Sequence, residues 1–430
     1  MKMIKIIKEK SNREFIKDLN SRSAKDYKKV LKTVENIVED VKENGDQALK
    51  KYAEKFDGIK TDNFLVSPLE IEEALDNIDS ELLNTIKKAY ENVYDYHKRQ
   101  KRKTTTYKPQ GKDIILGQVI NPIKKAGIYV PGGKAAYPST VIMNAVPAKI
   151  AGVEELIMIT PVKKDGKVLN SILAAASICG VDKIYKIGGA HGIAALAYGT
   201  ETISKVFKIT GPGNIYVSAA KKIVSENVGI DMIAGPSEIL IVADKNANPK
   251  YIAADLISQA EHDEMAASIL VTDSYILAEK VRNILEDMIG KMTRKEIIKK
   301  SIDNYGGIIL TDSLNESLEI ANEVAPEHLE ILTGNPFEDY KKINNAGAIF
   351  LGEFSPEPVG DYFAGPNHTL PTSGTSKFSS PLSVDDFIKK TSLIYYSKKS
   401  LENSKDHIIR FAENEGLTGH AESIKIRFKE

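Results

Sequence analysis

The chain has one cysteine in 430 residues, which excludes a disulfide framework and a thiolate-based metal site. That residue, Cys179, sits in Ala-Ala-Ala-Ser-Ile-Cys-Gly at the end of an expected helix, a packing position. No thiol nucleophile is therefore expected. An excess of charge is also missing: 59 Lys+Arg balance 59 Asp+Glu. This gives no electrostatic case for nucleic acid or an anionic membrane as the main partner. No apolar run reaches about 18 residues, so no membrane span is expected. The opening Met1-Lys-Met-Ile-Lys-Ile-Ile-Lys8 lacks the apolar stretch of a signal peptide. A cytoplasmic, metabolic protein is expected.

What is present is ordinary globular material, 42% hydrophobic and 27% charged. The length calls for more than one domain. Residues 26–56 and 71–103 mix charged and apolar side chains at helical spacing. Ser67-Pro-Leu-Glu70 reads as a helix cap, with Ser67 as N-cap, Pro68 in the first turn and Glu70 answering it. From about residue 113, strand-like runs alternate with helical ones. The strands are expected at 114–120, 126–130, 155–160, 183–187, 205–209, 238–243, 268–272, 307–311, 329–332 and 348–351. Helices are expected at 139–151, 169–179, 193–198 and 216–225, and again at 384–390 and 404–414. This alternation predicts an α/β fold of two Rossmann-like domains with parallel sheets, plus small helical N-terminal and C-terminal extensions. The expected division is an arm at 1–25, an interrupted first domain at 26–127 and 240–380, a second domain at 128–239, and a C-terminal segment at 381–430.

Three glycine turns follow strand candidates: Val130-Pro-Gly-Gly-Lys134, Ile187-Gly-Gly-Ala-His191 and Thr210-Gly-Pro-Gly-Asn214. Each precedes a helix, where backbone N–H groups can hold a phosphate or dinucleotide. None has the third glycine of the dinucleotide fingerprint, and a parallel sheet needs glycine at tight turns in any case. Their clustering favours a nucleotide site without naming the nucleotide.

The histidines are more telling. Four of seven lie in short, polar segments: Gln259-Ala-Glu-His262, Pro326-Glu-His328, Gly365-Pro-Asn-His368 and Glu415-Gly-Leu-Thr-Gly-His420. Asp361, in Pro358-Val-Gly-Asp-Tyr-Phe, has a similar setting. Imidazole, carboxylate and amide oxygen together suit a zinc-class ion. Gln259 and His262, three apart on a helical pattern, can share one metal, though a polar helix end explains them equally well. Glu327 and His328, beside Pro326 and read as a helix start, offer a carboxylate and an imidazole for acid–base work. The proline- and glycine-rich stretch around Asp361 reads as an ordered irregular loop. His97 and His407 read as exposed helix residues.

These segments, with Gly127-Ile-Tyr-Val-Pro-Gly-Gly133, Ala234-Gly-Pro-Ser-Glu238 and Gly365-Pro-Asn-His-Thr-Leu-Pro-Thr-Ser-Gly-Thr375, resemble histidinol dehydrogenase. The resemblance covers nearly the whole chain, most weakly the first 100 residues. It implies four-electron oxidation of L-histidinol to L-histidine through the aldehyde, with one zinc per subunit and NAD. It implies Gln259, His262, Asp361 and His420 as zinc ligands, His328 as base and Glu327 as activator of water. Ser237, His368 and Glu415, together with His328 and the four ligands, would bind substrate. Tyr129, His191 and Asn214 would contact NAD. It further implies an intertwined homodimer in which the swapped C-terminal segment brings His420 and Glu415 to the partner's site. One departure stands out: His191 occupies a position where the family commonly has glutamine, and imidazole cannot copy both ends of an amide. Three readings compete with this one: a related zinc/NAD dehydrogenase for another polar alcohol, a zinc hydrolase using Glu327, and a non-catalytic metal-binding protein.

Overall fold

The computed structural model describes residues 4–8, 12–132 and 137–429. Gly133 and Lys134 of the first glycine turn lie outside the described residues, as do Met1–Met3 of the opening segment. The chain divides into two units, 1–100 with 123–387 and 101–122 with 388–430.

In the first unit, β1 (Lys5–Lys8) leads to a helix, Asn12–Tyr52, interrupted at Gly45 and followed by a π-helical turn, Ala53–Asp57. Ile7, Ile16 and Leu19 are buried, so the stretch read from sequence as an arm supplies an edge strand and core contacts. Four residues flanked by lysines carry too little periodicity to be read as a strand. Helices Pro68–Asn77 and Ser80–Lys98 follow. The first has the expected capping box: Ser67 Oγ accepts the Glu70 N–H at 3.2 Å, and Glu70 Oε2 accepts the Ser67 N–H at 2.9 Å.

The second unit contains β2 (Thr105–Tyr107) and β3 (Ile114–Pro122). Back in the first unit come β4 (Lys125–Tyr129), β5 (Glu155–Thr160), β6 (Lys183–Lys186), β7 (Lys208–Thr210) and β8 (Gly229–Ile230). They form a parallel sheet in the order β6-β5-β4-β7-β8. The strand expected at 205–209 begins later, because Val206 bonds instead to Leu196 at the end of the preceding helix. Next come β9 (Glu238–Ala243), β10 (Ala267–Thr272), β11 (Gly307–Leu310), β12 (His328–Leu332) and β13 (Ala348–Leu351). With β1 they make a six-stranded parallel sheet, β1-β11-β10-β9-β12-β13. β9 is apolar on both faces because both are covered. Ile239 and Ile241 pack toward the helix Pro249–Ala260, while Leu240 and Val242 pack toward Leu318 and Ile16. The result is the expected mixed α/β architecture with parallel sheets.

The stretch from residue 384 departs from the helical extension expected from sequence. Residues 384–390 are not a helix: Val384–Phe387 is a 3₁₀ turn, followed by β14 (Ile388–Tyr396). β14 pairs antiparallel with β3 along nine residues, and β2 completes the sheet. Thr391, Ile394, Tyr395 and Tyr396 favour a pleated surface, and a long-range partner settled what local spacing left ambiguous. Helices Lys398–Asn414 and Thr418–Lys425 close the unit.

Gly211 shows how closely the strand ends pack. Its φ is +113°, and a Cβ there would lie 2.1 Å from the Tyr129 carbonyl oxygen. Gly211→Ala is expected to cost about 1–3 kcal/mol, read as a lowered thermal unfolding midpoint; an unchanged midpoint would show that the β4–β7 contact is looser than described.

Candidate active site

Glu327 and His328 stand where the chain enters β12, not at a helix start. Ala325 adopts a left-handed φ of +53° and turns the chain into the strand, so helical spacing does not apply to the pair. Adjacent residues at a strand start still diverge. His328 Nδ1 lies 3.1 Å from the Glu238 carbonyl oxygen at the neighbouring start of β9. A carbonyl can only accept, so the ring proton sits on Nδ1 and Nε2 keeps its lone pair. Nε2 is buried without a hydrogen-bond partner. Burial pulls the His328 pKa down to about 4, so the ring is neutral near pH 7. Glu327 Oε2 accepts the Glu238 N–H at 3.0 Å. Burial raises the Glu327 carboxyl well above its ordinary value, against the effect of that bond.

The segment around Asp361 is a short helix, Glu357–Tyr362, and not the irregular loop expected from its prolines and glycines. Pro358 falls in the first helical turn, where its missing N–H costs nothing. Gly360 lets the helix press on β13: a Cβ there would be 2.6 Å from the Phe350 ring. Asp361 Oδ1 lies 3.8 Å from His328 Nε2 and 3.9 Å from His368 Nδ1. Burial acts to raise the Asp361 carboxyl, but His368 and His328 hold it below its ordinary value. Ligating atoms of His262, Glu357 and Asp361 all lie within 4.8 Å of one another.

Gln259 and His262 occupy the end of the helix Pro249–Ala260 and the turn after it. Gln259 is completely buried, yet neither its amide oxygen nor its nitrogen has a partner. His368 Nδ1 is also 3.1 Å from the Asp361 carbonyl oxygen. Its neighbour Asn367 donates to the Met143 carbonyl at 2.6 Å and lies 3.3 Å from His97 Nε2. His97 is therefore not the exposed residue expected from its lysine-rich surroundings: it is fully buried and helps hold this loop. Ser237 is half-buried just before β9. Glu415 and His420 belong to the second unit and are exposed.

Sequence reading missed Glu357, whose carboxyl is 2% exposed and 3.9 Å from His328 Nε2. Its place four residues before Asp361 was the available signal, hidden by reading the segment as a loop. A cleft of about 360 Å³ opens beside His262 and Tyr362, with Ile86, Ala89 and Met143 on its far wall. Such a cavity can take a small molecule.

The glycine turns lie at the carboxyl ends of β4, β6 and β7. Tyr129 is buried, and its hydroxyl accepts the Gly189 N–H at 3.4 Å. Asn214 caps the helix Ile215–Val224 through its Oδ1. His191 is 3% exposed, with its ring 5.8 Å from Tyr52 and 5.9 Å from Phe56, and its Nε2 is unpartnered. Burial lowers its pKa to about 4.

A family model described as histidinol dehydrogenase matches residues 20–428. A histidinol dehydrogenase of Clostridium acetobutylicum is 54% identical, covering 99% of both chains. One of Bacillus subtilis is 53% identical over 92% of each. The crystal structure of histidinol dehydrogenase from Elizabethkingia anophelis superposes with a TM-score of 0.89 at 38% identity, covering 93% of this chain and 92% of that one.

Cys179 is buried, and burial drives its thiol far above the ordinary range. Cys179→Ala is expected to leave turnover unchanged, and the native thiol is expected to resist iodoacetamide until the protein unfolds. Rapid loss of activity on alkylation of the folded protein would restore a thiol mechanism.

Proposed function

The chain belongs to the histidinol dehydrogenase family and oxidises histidinol to histidine in histidine biosynthesis, and we propose that it does so with one zinc ion per subunit and two NAD⁺. The observation that carries the metal reading is the fully buried, unpartnered Gln259 amide one helical turn from His262. A buried polar group without a partner is costly, and a cation would satisfy this one. Gln259, His262 and Asp361 would supply three ligands, and His420 of the partner subunit a fourth. This nitrogen–oxygen set without thiolate suits zinc.

Tyr129, His191 and Asn214 would hold NAD at the carboxyl ends of β4, β6 and β7, the usual ligand crevice of a parallel sheet. A bound metal supplies orientation of the substrate, and a bound nicotinamide supplies the hydride acceptor. His328 Nε2 takes the alcohol proton as the first hydride leaves, giving the aldehyde. Glu327 would take a proton from water as the water oxygen adds to the aldehyde carbon, and loss of the second hydride from the resulting hydrate anion would give the carboxylic acid, which releases its last proton to solvent as the carboxylate forms. Ser237, His368 and Glu415 of the partner subunit hold the polar ends of the substrate. The exposed apolar side chains Leu393, Ile394, Tyr395 and Tyr396 on β14 support a homodimer with an exchanged C-terminal segment. Two parallel-sheet domains, bounded near residues 128 and 240, and a cytoplasmic location complete the reading.

The test is NADH formation from L-histidinol and NAD⁺. About two NADH per histidinol, lost with a chelator and restored by zinc, is expected. No NADH from folded, zinc-loaded protein would favour another alcohol or a zinc hydrolase. His328→Asn should lower turnover by about 10²-fold or more. Glu327→Gln should spare aldehyde formation and pull the yield toward one NADH per histidinol consumed; an unchanged yield would remove Glu327 from the second oxidation.

His191→Gln should change the KM for NAD by roughly 2–10-fold, the worth of about one hydrogen bond. An unchanged KM would show that this side chain does not touch the cofactor.

A further inference from the structure

Three acids, Glu330 and Glu357 buried and Asp255 partly exposed, adjoin the site, each one structural repeat from a residue assigned above. Asp255 precedes Gln259 by four on the helix Pro249–Ala260. Glu330 follows His328 by two on β12. Glu357 precedes Asp361 by four on the helix Glu357–Tyr362. Those offsets put the members of each pair on one face. The acids also meet one another. Glu330 Oε1 accepts the Glu357 N–H at 2.8 Å. Its Oε2 is buried with no hydrogen-bond partner, and its carboxyl faces that of Asp255. The Glu357 carboxyl meets that of Asp361.

Glu330 is fully buried and Glu357 nearly so. Among the described residues no lysine or arginine pairs with any of the three. Apolar side chains of similar size would stabilise a core better than uncompensated acids. What hydrogen-bonding groups add is direction: the Glu330–Glu357 bond fixes where the short helix starts relative to β12. Burial raises the Glu330 and Asp255 carboxyls.

We propose that Asp255, Glu330 and Glu357 form an acid layer that positions Gln259 and Asp361 against His328. They are positioning residues, acting through Gln259, Asp361 and His328. The inference rests on the metal reading above for its ligand names, but its geometry does not require that reading.

The experiment compares Glu330→Gln and Glu330→Leu in the full-length enzyme. Zinc affinity is read by competition with a chromophoric chelator, alongside the KM for histidinol and for NAD. Gln keeps an acceptor for the Glu357 N–H and should hold zinc like the unaltered enzyme. Leu removes it and should weaken zinc about tenfold or more and raise the histidinol KM, with the NAD KM unchanged. Unchanged zinc affinity and histidinol KM in the Leu variant overturn the proposal. An equal rise in both KM values also overturns it, since that is general loosening. If the Leu variant does not fold, Asp255→Leu at its partly exposed position applies the same criteria. If the unaltered enzyme binds no zinc, the metal reading fails, and the histidinol KM alone decides the acid layer.

Discussion

Glu238 opens β9 and is 1% exposed. Its carboxylate accepts from Arg22 Nη2 at 3.1 Å and from the Ser373 N–H at 2.6 Å. Its backbone N–H holds Glu327, and its backbone carbonyl holds His328. A buried carboxylate stripped of partners costs several kcal/mol. That demand ties together the long N-terminal helix, the loop after His368 and the starts of β9 and β12. The same residue sets the tautomer of His328, so the electrostatics of the fold and the protonation of this imidazole have one origin.

The two parallel sheets are used at opposite ends. In the first, glycine turns follow the strands, where backbone N–H groups and helix starts favour an anionic ligand. In the second, the reactive side chains gather where β9 and β12 begin. At these starts, side chains from β12, the Pro249–Ala260 helix and the Glu357–Tyr362 helix converge beside the cleft at His262. The glycine turns and the Glu327–His328 cluster therefore rest on separate sheets of one unit.

Much of the fold was legible along the chain. The runs 155–160, 238–243 and 348–351 became β5, β9 and β13 with the same limits, because continuous apolar runs bounded by turns have few alternatives. The Ser67 cap was legible because its chemistry is local. β14 was not, since its side chains suit helix or strand until β3 lies alongside. His97 was misread because its lysine neighbours are exposed while its own face packs on the loop at Asn367.

At the site, the sequence by itself marked the candidate segments: histidines, Gln259 and Asp361 in polar settings, and glycines at the ends of strands. Composition and spacing express such choices directly. Only the tertiary structure decided which of them meet and what stands behind them. The Nδ1 proton of His328, the bare amide of Gln259, and Glu357 beside Asp361 depend on the register between β9 and β12 and on where one short helix lands. Those are distances between elements far apart in the chain, and no local pattern encodes them.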